Sequence, residues 1–126
     1  MILVLLLSML LGFIIGFERE WSGKAVGIRT AALVTLGSTL FCLMSPTIFG
    51  GDNSRIVAAV IQGIGFLGAG VIFKNGDETH GLTTAVTVWA SASIGCLVGT
   101  GFYMEACIGT VLIVLINLVF KKLRMI

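Results

Sequence analysis

Five long apolar stretches, with the charges confined to their ends and to the short segments between them, leave this sequence little choice of fold. They cover residues 1–17, 30–44, 55–73, 82–98 and 102–120. The hydrocarbon core of a bilayer is crossed by a helix of about 17–25 residues, and these stretches lie at or near that length. Only 11% of the chain is charged, against about 25% in an average soluble domain. So few charges cannot cover the surface of a water-soluble fold of this size.

A membrane β-barrel is the competing way to cross a bilayer, and its strands alternate apolar and polar residues with period two. Ile2 to Leu7 and Val111 to Ile116 are apolar without a break. Backbone amides in lipid must then be satisfied within their own segment, which only a helix achieves. The expected fold is an all-α integral membrane protein, a bundle of five transmembrane helices packed through glycine, with residues 1–126 forming one domain. Ser45-Pro46 is the expected stop of the second helix, since proline has no N–H to donate. The first stretch lacks a basic n-region and an A-x-A cleavage site, so it reads as a retained helix and not as a signal peptide.

Orientation comes from the basic residues. With five spans, Arg19, Lys24, Arg29, Lys74, Lys121, Lys122 and Arg124 share one side, and Arg55 stands on the other. The excess of Lys and Arg belongs inside the cell. The N-terminus is therefore expected outside and the C-terminus in the cytoplasm. The net charge of +2 is too small to point to nucleic acid.

Glycine carries most of the remaining information. Ser8, Gly12 and Gly16 recur at i, i+4, i+8, and Ser91, Gly95 and Gly99 repeat the pattern. Such stripes let helix backbones approach closely, either within one protomer or between two. Gly63-Ile64-Gly65-Phe66-Leu67-Gly68-Ala69-Gly70 matches the G-x-G-x-x-G string of dinucleotide sites. That motif needs a preceding strand and an acidic residue about 20 positions on, and here it lies inside an apolar span. Gly12, Gly16, Gly63, Gly65, Gly68, Gly70 and Gly95 are instead expected at helix–helix contacts.

Among polar residues, Thr84, Thr87 and Ser91 share one face of the fourth helix, and Gln62 sits within the third span. They either line a polar crevice or bond between helices and back to the i−4 carbonyl. Glu18, Glu20, Asp52, Asp77, Glu78 and Glu105 all fall at span ends, whereas ion-coupled carriers place ionisable groups inside the membrane. His80, with Asp77 and Glu78, is expected in a solvated loop, so no metal and no cofactor are expected. Cys42, Cys96 and Cys107 have no C-x-x-C spacing and read as helix-packing residues. No nucleophile, base and orienting acid fall together, so the chain is not expected to be an enzyme.

Five motifs in order, Gly12-x-x-x-Gly16-x-Glu18-Arg19, then Gly27-x-Arg29-Thr30, then Asp52-x-x-Arg55-Ile56, then the glycine run 63–70, then Gly81-Leu82-Thr83-Thr84-Ala85 with Trp89, make nearly the whole chain resemble the MgtC/SapB family. The resemblance implies a bacterial inner-membrane protein with five spans, linked to survival in low magnesium or acid and to virulence. The best-known member inhibits the F-type ATP synthase through its membrane sector, and many relatives continue into a soluble cytoplasmic domain. By that resemblance the functional positions are Glu18, Arg19, Arg29 and Thr30 on the cytoplasmic side, Asp52 and Arg55 outside, and Gln62, Thr83, Thr84 and Trp89 within or opening the spans. Glu18 is expected to pair with Arg29, and Asp52 to cap the third helix. The expectation is a regulator that binds membrane proteins and forms a homo-oligomer in the lipid bilayer, with a magnesium channel or transporter as the alternative.

Overall fold

The computed structural model describes residues 1–23, 27–48, 53–75 and 78–123, with side chains described except at 45–48, 73–75, 78–81 and 121–123. It contains five helices and, among the described residues, no strand. They are α1 (Ile2–Trp21), α2 (Ile28–Ile48), α3 (Ser54–Asn75), α4 (Glu78–Gly99) and α5 (Tyr103–Leu123). At 1.5 Å per residue, helices of 20 to 22 residues are about 30 Å long, the thickness of a hydrocarbon core. By length and composition α1, α3, α4 and α5 can each cross a membrane, while α2 carries a shorter apolar stretch over Ile28–Met44.

Helix ends differ from the sequence expectation in instructive ways. α2 does not stop at Ser45-Pro46 but runs on to Ile48. Proline deletes one backbone bond and crowds one carbonyl, and near a helix end that loss is confined to the last turn. α4 begins at Glu78, so His80 belongs to its first turn and not to a loop. α1 continues through Glu18, Arg19 and Glu20 to Trp21, then turns at Gly23, whose φ of 72° is the left-handed conformation that favours glycine. α4 ends in a Schellman motif. Gly101 (φ 95°) donates to the Val98 carbonyl at 3.3 Å, and Phe102 to the Leu97 carbonyl at 2.8 Å.

Contacts define the arrangement. Ser8 meets Thr39, Gly12 meets Thr35 and Gly16 meets Ile28, a falling register that makes α1 and α2 antiparallel. Gly95 faces Thr35 and Ser38, and Gly99 faces Thr39 and Cys42, a rising register that makes α2 and α4 parallel. The bundle is therefore up-and-down, and α2 lies alongside spanning helices despite its shorter apolar stretch. α4 touches all four other helices. Of its apolar window 56% is buried, against 11% for α3, which packs mainly on α4 and sits at the edge.

The two small-residue stripes are used within the protomer. A Cβ on Gly12 would lie 2.8 Å from the Ala31 carbonyl oxygen and the Ala32 Cα; one on Gly16 would lie 2.6 Å from the Ile28 Cα. A Cβ on Gly95 would run into the Thr35 carbonyl, and one on Gly99 would lie 2.6 Å from the Cys42 Cβ. α2 is thus clasped from both sides at distances only glycine permits. Gly68 makes ordinary contact with Ala85, at 3.5 Å. Gly63, Gly65 and Gly70 make no such contact within the protomer, where nothing lies within 4 Å of their Cβ positions. α3 turns one edge of its glycine run to α4 and the rest away from the bundle.

Three small apolar clusters fill the interior. Leu11, Ile15, Ile94, Val98 and Ala106 join α1, α4 and α5. Cys42, Val60, Ala92 and Cys96 join α2, α3 and α4, and Ala31 with Val88 closes the third. All three cysteines are free thiols, Cys42 and Cys96 buried and Cys107 exposed on α5.

Candidate functional site

The buried charges among the described residues lie where α1 ends. Glu18 and Arg19 are both buried, with side chains 3% and 2% exposed. Adjacent residues on a helix diverge by about 100°, so only curled side chains can meet. Here Arg19 donates Nε to Glu18 Oε1 at 2.8 Å and Nη2 to Oε2 at 3.1 Å, a two-pronged charge-assisted pair. Ser22, one turn on, donates its hydroxyl to Oε2 at 2.9 Å. The carboxylate is fully engaged. The guanidinium is not, for its Nη1 is buried without a partner.

Glu20 has a different task. Its Oε1 accepts the backbone N–H of Ile28 at 3.2 Å and so closes the start of α2. A carboxylate there satisfies an otherwise orphan donor and complements the positive end of the helix dipole. Gly27 leaves the room, since any side chain on it would collide with that carboxylate. Glu18 thus ties up the last turn of α1, while Glu20, two residues on, reaches across to the start of α2.

From this corner a seam of hydroxyls runs through the bundle. The Ser8 and Thr39 hydroxyls are 2.6 Å apart, and Ser8 donates to the Thr35 carbonyl at 3.0 Å. Thr39 reaches the Gly95 carbonyl at 2.9 Å. Ser38, Thr87, Ser91 and Thr110 each donate to the carbonyl four residues earlier, at 2.9 Å. Hydroxyls in lipid avoid desolvation cost in this manner. The seam consists of internal bonds, and none of these bonds reaches Gln62, which is exposed on α3.

The remaining sequence candidates scatter. Arg29 and Thr30 are exposed at the start of α2, and the Glu18 carboxylate is held by Arg19 and Ser22, not by Arg29. Arg55 is exposed at the start of α3, and Asp52 lies outside the described residues. Thr83 and Trp89 are exposed and Thr84 is buried on α4. The structure thus brings together Glu18 and Arg19, and it does not join Arg29 to them. Sequence reasoning passed over Ser22, Glu20 as a cap, and the α2 hydroxyls Thr35, Ser38 and Thr39. The last three have a legible signal, polar residues at i, i+3, i+4 inside an apolar helix. Among the described residues no group of three His, Cys, Asp or Glu side chains is placed to hold a metal.

Open apolar grooves lined by described residues flank this framework. One, of about 690 Å³, lies between α1 and α5, lined by Phe13, Phe17, Trp21, Val114 and Leu118, with Glu18 at its edge. Phe13, Phe17 and Trp21 stack at centroid distances of 6.4 and 6.1 Å along it. Another, of about 610 Å³, separates α2 from α3 and is lined by Gly37, Ser38, Ala59 and Gly63 among others.

Comparison with known proteins identifies relatives by sequence. The model of the MgtC family matches residues 5–126. The chain is 46% identical over 121 residues to Protein MgtC of Salmonella typhimurium, covering 96% of this chain and 52% of that protein. It is 43% identical over 118 residues to Protein MgtC of Brucella abortus, covering 92% and 49% respectively. The chain thus spans about half the length of the curated relatives it matches. No solved structure matches.

Proposed function

This chain belongs to the MgtC family, and from that premise we propose that it is a non-enzymatic bacterial inner-membrane regulator. It works as a homo-oligomer, through contacts with other proteins inside the bilayer. The family resemblance supplies the physiological setting, adaptation to low magnesium or acid during infection. It also supplies a partner, the membrane sector of the F-type ATP synthase. The N-terminus lies outside and the C-terminus in the cytoplasm, a reading supported by seven basic residues on one side against one on the other.

The observation that carries the regulator reading is how the interior polar groups are spent. The buried hydroxyls of α1, α2 and α4 bond to each other and to carbonyls, and α2 is clasped by glycines at backbone contact. A conducting path needs groups free to replace an ion's water. The outer faces, by contrast, offer two apolar grooves sized for neighbours.

Two measurements test it. Cross-linking and purification from native membranes should recover membrane-protein partners, while protein reconstituted in liposomes should pass no Mg²⁺. Magnesium flux above empty liposomes, with no partner recovered, would replace the regulator by a channel or carrier. An enzymatic reporter fused after Ile126 should be active on the cytoplasmic side only.

A further inference from the structure

Gln62 is the anomaly of this fold. It lies eight residues into α3, about 12 Å from the helix start at 1.5 Å per residue, and is exposed. That depth is near the middle of a hydrocarbon core about 30 Å thick, beyond the reach of a glutamine side chain to either interface. A carboxamide offers two donors and an acceptor oxygen, and leaving them bare in lipid is costly. Among the described residues, none hydrogen-bonds it.

Its surroundings are open in the same direction. Ala58, Gln62, Gly65, Phe66 and Ala69 fall at i, i+4, i+7, i+8 and i+11, one face of a helix, and all are exposed. A Cβ at Gly65 would meet nothing within 4 Å, so nothing in the protomer compensates that glycine's poor helix propensity. α3 is also a peripheral helix, held mainly by α4. Phe66 is 81% exposed, more than any other described large apolar side chain.

We propose that α3 is the self-association helix, two copies of this chain meeting across a two-fold axis at Gln62, each carboxamide donating to and accepting from its twin. The small residues around Gln62 let the two backbones approach closely, and the amide bond replaces the missing protomer partner. The occupant is a second copy because a carboxamide is its own complement. A two-fold along the membrane normal is also the one dimer symmetry that keeps both copies in the same orientation. A different protein would need its own polar side chain at the same depth. The proposal rests on the homo-oligomer reading above and adds the face to it.

Photo-cross-linking in native membranes tests it with the full chain. Phe66→p-benzoylphenylalanine should yield, on illumination, a species of twice the 13.3 kDa chain mass. Leu112→p-benzoylphenylalanine on the exposed face of α5 should not. Adding Gln62→Leu should weaken association about tenfold, the scale of two interhelical amide bonds, and Gln62→Asn should retain part of it. Helix content and melting of the protomer should be unchanged by Gln62→Leu. A dimer formed only from Leu112 would overturn the α3 face and leave the oligomer reading standing. No dimer from either position would overturn both. An adduct of Phe66 to a protein of another mass, a Phe66 dimer indifferent to Gln62→Leu, or loss of the protomer fold in that variant would each refute the proposal.

Discussion

Removing the Glu18 carboxylate should unfold more of this protein than removing any other single charge among the described residues. Glu18→Ala leaves the Arg19 guanidinium buried, 2% exposed, with its counter-ion gone and a third nitrogen already unpartnered. Two unit charges about 4 Å apart attract by about 4 kcal/mol at an effective dielectric of 20. Breaking a buried pair from one side typically costs about 3–5 kcal/mol, because the remaining charge stays desolvated. Replacing both members, Glu18→Leu with Arg19→Met, removes the penalty along with the attraction and should come within about 1 kcal/mol of the parent. Ser22→Ala removes one hydrogen bond to a charged group and should cost about 1.5–3 kcal/mol. Arg29→Ala should cost no more than about 0.5 kcal/mol, since Arg29 is exposed. The assay is reversible unfolding in mixed micelles with added dodecyl sulfate, followed by far-UV circular dichroism. If Glu18→Ala melts within about 1 kcal/mol of the parent, or the double replacement is as damaging as the single one, the buried pair does not stabilise the end of α1 in this way.

Other substitutions separate clasping glycines from open ones. Gly12→Ala should destabilise by about 1–3 kcal/mol through overpacking against the rigid α2 backbone, whereas Gly37→Ala meets open space and should gain up to about 1 kcal/mol from helix propensity; thermal melting in detergent compares them. Gly68→Leu should lower the protomer's melting temperature because it drives into Ala85, while Gly65→Leu should leave it unchanged in monomeric micelles. Thr39→Val removes the bonds from α2 to Gly95 and Ser8 and should cost about 1 kcal/mol, the scale of interhelical bonds in membranes. The same micelle titration reads it, and an unchanged midpoint would show that the seam adds nothing to stability.

The secondary structure was readable from the residues, and the reason is physical. Lipid offers the backbone no partner, so an apolar run must satisfy its own amides, and run length alone counts the helices. The helix ends are less legible, because Pro46 and the charged turn Glu18–Trp21 read as stops in the sequence. Near an interface a helix can lose a bond or carry a charge and still continue. The stripes Ser8-Gly12-Gly16 and Ser91-Gly95-Gly99 were legible as close-contact faces, though not as two faces closing on the same helix.

Which group meets which was decided only in three dimensions. Glu18 was matched by the sequence to Arg29 across the loop, yet the chain curls it onto its own neighbour Arg19 and assigns the α2 start to Glu20. The glycine run 63–70 reads as a single packing surface, yet α4 takes Gly68 while Gly63, Gly65 and Gly70 stay open. Periodicity defines the faces of a helix. It does not set the rotation of that helix about its axis, which follows from the shapes of the neighbours it must fit.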